Sequence, residues 1–142
     1  MAKRPAATEY LSGVPLFRGL SNRELRQIAQ AGDRLDVEAG SELVTEGRVG
    51  REFFLIIEGE ATVRRKKRAV ARLGPGDYFG ELALLHRGPR SATVVADTDM
   101  RLFVLPQREF GGLVESVPGL ASKLLTGLAE RLREADAKSV TY

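Results

Sequence analysis

"YFGELALLHRGPRSATVVA", Tyr78 to Ala96, sets a Gly-Glu pair at the mouth of an apolar run and an arginine just past a Gly-Pro turn. The run "LALL" is too short for an ordinary helix, yet even a brief helix start has free backbone N–H groups that favour an anion. Gly80 has no Cβ, so a ligand can approach the backbone there. The turn places Arg90 to add directional, charge-assisted bonds to that anion, each contributing about 1.5–3 kcal/mol. Glu81 is a poor neighbour for a bare phosphate. It fits if it accepts a hydrogen bond from a hydroxyl on the same ligand, as a ribose 2′-OH can donate. Taken singly, each residue has a plainer reading: Glu81 complementing the helix macrodipole, Arg90 pairing with Glu81. Gly80, Glu81, Ala83, Arg90, Ser91, Ala92 and Thr93 in one order favour the ligand.

On both sides of this stretch the chain reads as β-structure. From Asp33 to Leu105 short runs divided by glycine recur: "RLDVEAG", "SELVTEG", "REFFLIIEG", "EATVRR", "AVARLGPGD", "RSATVVAD" and "MRLFVLP". Strands spaced by roughly eight to twelve residues with glycine turns predict an antiparallel, jelly-roll-like β-barrel, interrupted once by the Tyr78 stretch. The basic cluster "RRKKR", Arg64 to Arg68, falls between two strand-like runs and is expected to be a solvated hairpin tip.

Helical patterns flank the β-region. "LSNRELRQIAQAG" carries a capping box, Ser21 with Glu24, then Leu25, Ile28 and Ala29 before Gly32. Ahead of it "VPLFRGL" reads as a docking turn with Leu16 and Phe17 packed inward. After Pro106, "QREFGGLVES" is a short helix weakened by Gly111 and Gly112. "PGLASKLLTGLAERLREADAK" then sets Leu120, Leu124, Leu128 and Leu132 four apart, with Ala121, Leu125 and Ala135 widening the stripe. The expected fold is mainly β with flanking α: an antiparallel jelly-roll-like β-barrel with an N-terminal helix and two C-terminal helices. All of it forms one domain, 1–142, with a helical lead-in 1–32, a barrel 33–105 carrying its insert at 79–93, and closing helices 106–138.

Composition excludes several functions. The 142 residues include no cysteine and one histidine, His86, so a His-rich metal site or a thiol nucleophile cannot be assembled within one chain. No catalytic residue and no metal ligand is expected, and the chain is not read as an enzyme. Twenty-two basic against 19 acidic residues give a net charge of only +3, without the basic face of a nucleic-acid-binding domain. No apolar window approaches a membrane span and the N-terminus lacks a secretory signal, so the expected location is cytoplasmic.

"FGELALL" followed by "PRSATV" resembles the phosphate-binding cassette of the cyclic nucleotide-binding domain family. That family includes catabolite activator protein, protein kinase A regulatory subunits and cyclic-nucleotide-gated channels. The resemblance extends through Gly40, Gly47, Gly59, "GPGDYFGE" and the closing helices. It implies that Glu81 takes a ribose 2′-OH and that Arg90 binds the cyclic phosphate. Backbone amides near Gly80, Leu82, Ala83 and Ser91 would assist, with Ala92 beside them and the Ser91 hydroxyl as a further donor. Val63 and Leu73 would flank the purine from the barrel wall, and Arg131 falls where some channel domains contact the base. Arg131 could equally pair with Glu130 or Glu134. Ser91 stands where many cAMP sites have alanine or serine and cGMP-selective sites often have threonine, so cAMP is the expected ligand and cGMP the second choice.

The resemblance further implies a sensor whose last helix moves over the purine, with "VPG" at 117–119 as hinge. The chain carries no membrane span and no helix-turn-helix after the long helix, which predicts a stand-alone sensor. Its output would pass through an unidentified effector protein or a homodimer joined along Ala121, Leu125, Leu128, Leu132 and Ala135. A non-binding interaction module of the same fold and the ligand-binding fragment of a transcription regulator are the alternatives.

Overall fold

The computed structural model describes residues 7–14, 17–86 and 88–138. Among the described residues two helices come first, α1 (Ala7–Leu11) and α2 (Asn22–Ala31). α2 begins as its sequence dictates: Glu24 N donates to Ser21 Oγ at 3.1 Å and Ser21 N to Glu24 Oε1 at 2.8 Å, a reciprocal capping box. α1 is a short addition to the expected N-terminal helix within the helical lead-in, its five residues too few to display a helical period. Phe17 is buried as the docking turn predicts, while Leu16 lies outside the described residues.

Ten strands follow: β1 (Asp33–Val37), β2 (Glu42–Val44), β3 (Val49–Gly50), β4 (Glu52–Glu58), β5 (Ala61–Arg65), β6 (Arg68–Leu73), β7 (Tyr78–Phe79), β8 (Gly88–Pro89), β9 (Thr93–Ala96) and β10 (Met100–Pro106). The one-turn helix α3 (Leu82–Leu85) lies between β7 and β8. Two four-stranded antiparallel sheets, β1-β10-β4-β7 and β2-β9-β5-β6, pack as a jelly-roll-like barrel whose sheets are not joined edge to edge; β3 and β8 form a separate ribbon. The seven runs legible in the sequence are the longer strands. The two-residue strands β3, β7 and β8 carry too few positions to alternate.

β4 explains its own unbroken apolar run. Phe54 and Ile56 point into the barrel with Val63, Leu73, Phe79, Ala92, Val94 and Leu102. Phe53 and Leu55 point outward against the helices, in a second cluster with Leu25, Ile28, Leu84, Phe110, Val117 and Leu120. A strand covered on both faces has no polar side to show.

β5 and β6 make the predicted hairpin, turning at Lys66 and Lys67 with φ of 51° and 67°. Both lysines occupy the left-handed region of a type I′ turn, at a cost of roughly 1–2 kcal/mol each. The closing helices are α4 (Gln107–Ser116) and α5 (Leu120–Lys138). They break at 117–119, where the Val117 amide caps α4 by donating to Leu113 O at 2.9 Å. Lys123 Nζ then reaches Glu24 Oε1 at 2.9 Å and Glu130 meets Arg18 at 2.9 Å, so α5 is tied to the N-terminal segment.

Candidate ligand-binding cleft

Arg90 is held through its backbone before its side chain does anything. Its N–H donates to Arg48 O at 2.7 Å and its carbonyl accepts from Gly47 N at 2.9 Å. Just upstream, β8 pairs with β3 at Gly88↔Gly50 and Pro89↔Val49. This ribbon places the arginine, where the sequence suggested the Gly-Pro turn alone.

The side chain then threads between two glycines. A Cβ at Gly50 would lie 2.5 Å from Arg90 Cζ. One at Gly80 would lie 2.5 Å from Nη1 and 2.7 Å from Glu52 O, and Gly80 has φ +80°. The sequence suggested that Gly80 leaves room for a ligand; in the structure Arg90 and the neighbouring strand occupy that room. Nη2 donates to Glu52 O at 2.9 Å, and Cζ sits 5.8 Å from the centroid of Phe54, whose ring stacks on Phe79 at 4.9 Å. Burial pulls the guanidinium below the usual arginine pKa, and the carboxylates of Glu52 and Glu81 oppose that shift. Arg90 remains a cation at neutral pH.

Glu81 opens α3 with its side chain only 1% exposed and makes no capping bond to that helix. Its Oε2 is enclosed and accepts no hydrogen bond within the described residues, while the carboxylate as a whole interacts with Arg90.

The remaining candidates divide by place. Arg90, Gly80, Ser91 and Ala92 meet Val44, Phe79 and Val94 around a cavity of about 30 Å³. Leu82 is 44% exposed and Ala83 buried beside them on α3; the Ala83 N–H is donated to Gly80 O at 3.1 Å, so the turn itself uses that amide. Val63 and Leu73 lie within the barrel interior, Val63 directly across from Val94. The Arg131 side chain lies outside the described residues. No described residue of α5 lines the cavity.

A cavity of that size holds about one water, whereas ligand pockets span several hundred Å³. The cleft opens to solvent past this cavity, and Arg90 Nη2 is the guanidinium nitrogen engaged by Glu52 O. Gly50, Glu52, Phe54, Val44 and Phe79 surround Arg90 and its cavity and were missed in the sequence. Only Phe79 carried a signal, as the neighbour of Gly80; the others arrive from strands some forty residues away. A larger cleft of about 410 Å³, at the ends of β1, β4 and β10, is lined by Asp36, Glu38, Glu58 and Asp99 with Arg101 as its cation, the wrong charge for an anion. Among the described residues no cluster is placed to hold a metal ion, and no helix is long and apolar enough to cross a membrane.

The sequence profile of the cyclic nucleotide-binding domain matches residues 34–117, from β1 through the end of α4. The chain belongs to the cyclic nucleotide-binding domain family. This cyclic nucleotide-binding domain is 36% identical over 130 residues to a cAMP-dependent protein kinase regulatory subunit of Mycosarcoma maydis, covering 85% of the chain and 25% of that relative. It is 35% identical over 131 residues to the cyclic AMP receptor protein of Thermus thermophilus, covering 89% of the chain and 61% of the relative. Among solved structures, the N-terminal domain of a transcriptional regulator from Streptomyces coelicolor A3(2) superposes with a TM-score of 0.82 at 28% identity, covering 90% of this chain and 95% of that one. The domain thus spans a quarter of the kinase subunit's length and about three-fifths of the receptor's.

Proposed function

We propose that this chain is a cyclic nucleotide sensor that binds cAMP in preference to cGMP at the Arg90 cleft and signals by moving α5. The observation that carries this reading is the Arg90 guanidinium, half-buried beside Gly80 and Glu81 and bonded to a backbone carbonyl that a phosphate can replace. On entry of the nucleotide, Arg90 exchanges Glu52 O for the cyclic phosphate, a stronger charge-assisted partner. Glu81 accepts from the ribose 2′-OH, and the amides near Gly80, Leu82 and Ser91 complete the phosphate site. Val63 and Leu73 face the purine side, and Arg131 reaches the base from α5. The names of the kinase subunit and the receptor protein, both cAMP proteins, support the choice of ligand.

Transmission follows from packing. Leu84 of α3 shares one apolar cluster with Phe110 of α4 and with Val117 and Leu120 at the helix break. A nucleotide that displaces α3 repacks this cluster, frees α5 from Glu24 and Arg18, and draws it over the purine. The shift is as large as the difference in nucleotide affinity between the two arrangements.

Output passes to an effector protein or through self-association. Leu125 and Leu132, one heptad apart, are 64% and 48% exposed, and Ala121 beside them is also exposed. Light scattering is expected to show a dimer joined by this face; a monomer with and without nucleotide removes the self-association route. A second reading, the ligand-binding part of a transcription regulator, is favoured by the likeness to the Streptomyces domain. The mass of the protein isolated from its own cells separates the two.

Calorimetric titration with cAMP and cGMP tests the site. The intact chain is expected to bind, more tightly to cAMP, and Arg90→Ala to lose about 2–5 kcal/mol because the phosphate is desolvated without its partner. Equal binding by both proteins would sink the site assignment, and no heat with either nucleotide would favour a non-binding interaction module.

A further inference from the structure

Five consecutive cations, Arg64 to Arg68, end the β5–β6 hairpin, and all five are exposed. Arg65 faces Arg68 across the ladder, and the turn between them puts Lys66 and Lys67 at positive φ, where asparagine and glycine fit at lower cost. The tip thus keeps charge where conformation favours neutral residues. Among the described residues none of the five side chains enters an ion pair. The carboxylate nearest in the bonding pattern, Glu46, accepts the Lys66 backbone N–H at 2.9 Å through Oε1.

The tip also lies at a particular end of the molecule. Arg64 pairs with Thr93, three residues beyond Arg90, and Thr93 Oγ1 in turn accepts from Glu46 N at 2.9 Å. Paired strand residues lie about 5.5 Å apart and three residues of chain span at most ~11 Å, so the cluster is rooted within roughly 16 Å of Arg90. At the other end of β5, where Ala61 meets Ala96, lies the acidic cleft of Asp36, Glu38, Glu58 and Asp99. Charge is therefore predominantly basic at the tip end and, with Arg101 offsetting one of the four carboxylates, net acidic at the far end. Such a distribution attracts an anion toward Arg90 and repels it from the opposite side.

We infer that the Arg64–Arg68 hairpin tip is an electrostatic capture device for the anionic ligand of the Arg90 cleft, speeding its arrival without contacting it once bound. This rests on the cyclic nucleotide reading of that cleft. The tip's field reaches about 30 Å in 10 mM salt but only about 8 Å at physiological ionic strength, so the contribution belongs to the association rate and fades with salt.

Stopped-flow binding of fluorescently labelled cAMP tests this on the intact chain and on a variant with Arg65→Gln, Lys66→Asn and Lys67→Gly. The new Asn-Gly turn suits the backbone, so the variant's melting temperature should equal or exceed that of the intact chain. At 10 mM salt its association rate is expected to fall by roughly three- to tenfold. The two proteins should converge by 300 mM salt, with equal dissociation rates throughout. Equal association rates at low salt overturn the inference. So does a faster dissociation of the variant, which would make the tip a contact rather than a steering element. If labelled cAMP binds neither protein, the nucleotide reading of the cleft itself has failed and this inference falls with it; binding with unaltered rates fells this inference alone.

Discussion

At Gly80 one position must satisfy three demands: a φ of +80°, space for Arg90 Nη1, and clearance from the Glu52 carbonyl. A methyl group there strains the backbone and also collides with another strand's backbone, so it cannot be relieved by moving one flexible side chain. Gly80→Ala is therefore expected to cost about 1–3 kcal/mol. It should also displace Arg90, so that thermal melting and nucleotide titration fall together. A melting temperature unchanged from the intact chain would show that the turn relaxes freely. The sequence drew attention to Glu81 and Arg90 because they stand in one fixed order with Gly80, Ala83, Ser91, Ala92 and Thr93, although each alone has a plainer reading. It could not display why Gly80 is glycine, since that reason comes from Arg90 and from Glu52, which lies in another strand. Gly50 and Phe54 were hidden in the same way, each being unremarkable until the ribbon brings Arg90 between them.

Among the elements, α5 is tied to α2 through one carboxylate oxygen. Glu24 Oε1 accepts from the Ser21 amide at 2.8 Å and from Lys123 Nζ at 2.9 Å, and these bonds, the amide first, hold the Glu24 pKa below the ordinary carboxylate value. A folded-state pKa depressed in this way contributes stability above the unfolded-state pKa, lost as pH falls through the folded value. Lys123 is partly exposed, so the link is modest, roughly 1 kcal/mol at neutral pH. Glu24→Gln should lower stability by about that amount at pH 7, and the difference should close in acid below about pH 4. Denaturant midpoints at the two pH values read it directly, and a gap that persists in acid would assign the loss to packing. The capping box behind this link was legible because its residues are three apart in the chain. The Lys123 contact was not, because it spans 99 residues, and α1 escaped notice for want of length.

Across the whole molecule, two apolar clusters share β4, one filling the barrel and one seating the helices. The sequence marked β4 as apolar, but a continuous run reads alike whether it is a buried strand or part of a buried helix, so its two-sided role emerged only from the packing. The same sheet sets an order of assembly. β10 lies between β1 and β4, pairing Leu35 with Leu102 and Leu55 with Phe103, so the strand at the sheet's centre is the last to be made. During synthesis from the N-terminus, β1 and β4 must wait, unpaired at their inner edges, until residues 100–106 have left the ribosome. Pairings of such long sequence separation slow folding and leave strand edges open to other chains in the interval. A nascent chain halted before Met100 has Arg90 already made and an inner strand of one sheet still missing, so its strand edges are most open to other chains just before synthesis reaches the closing helices.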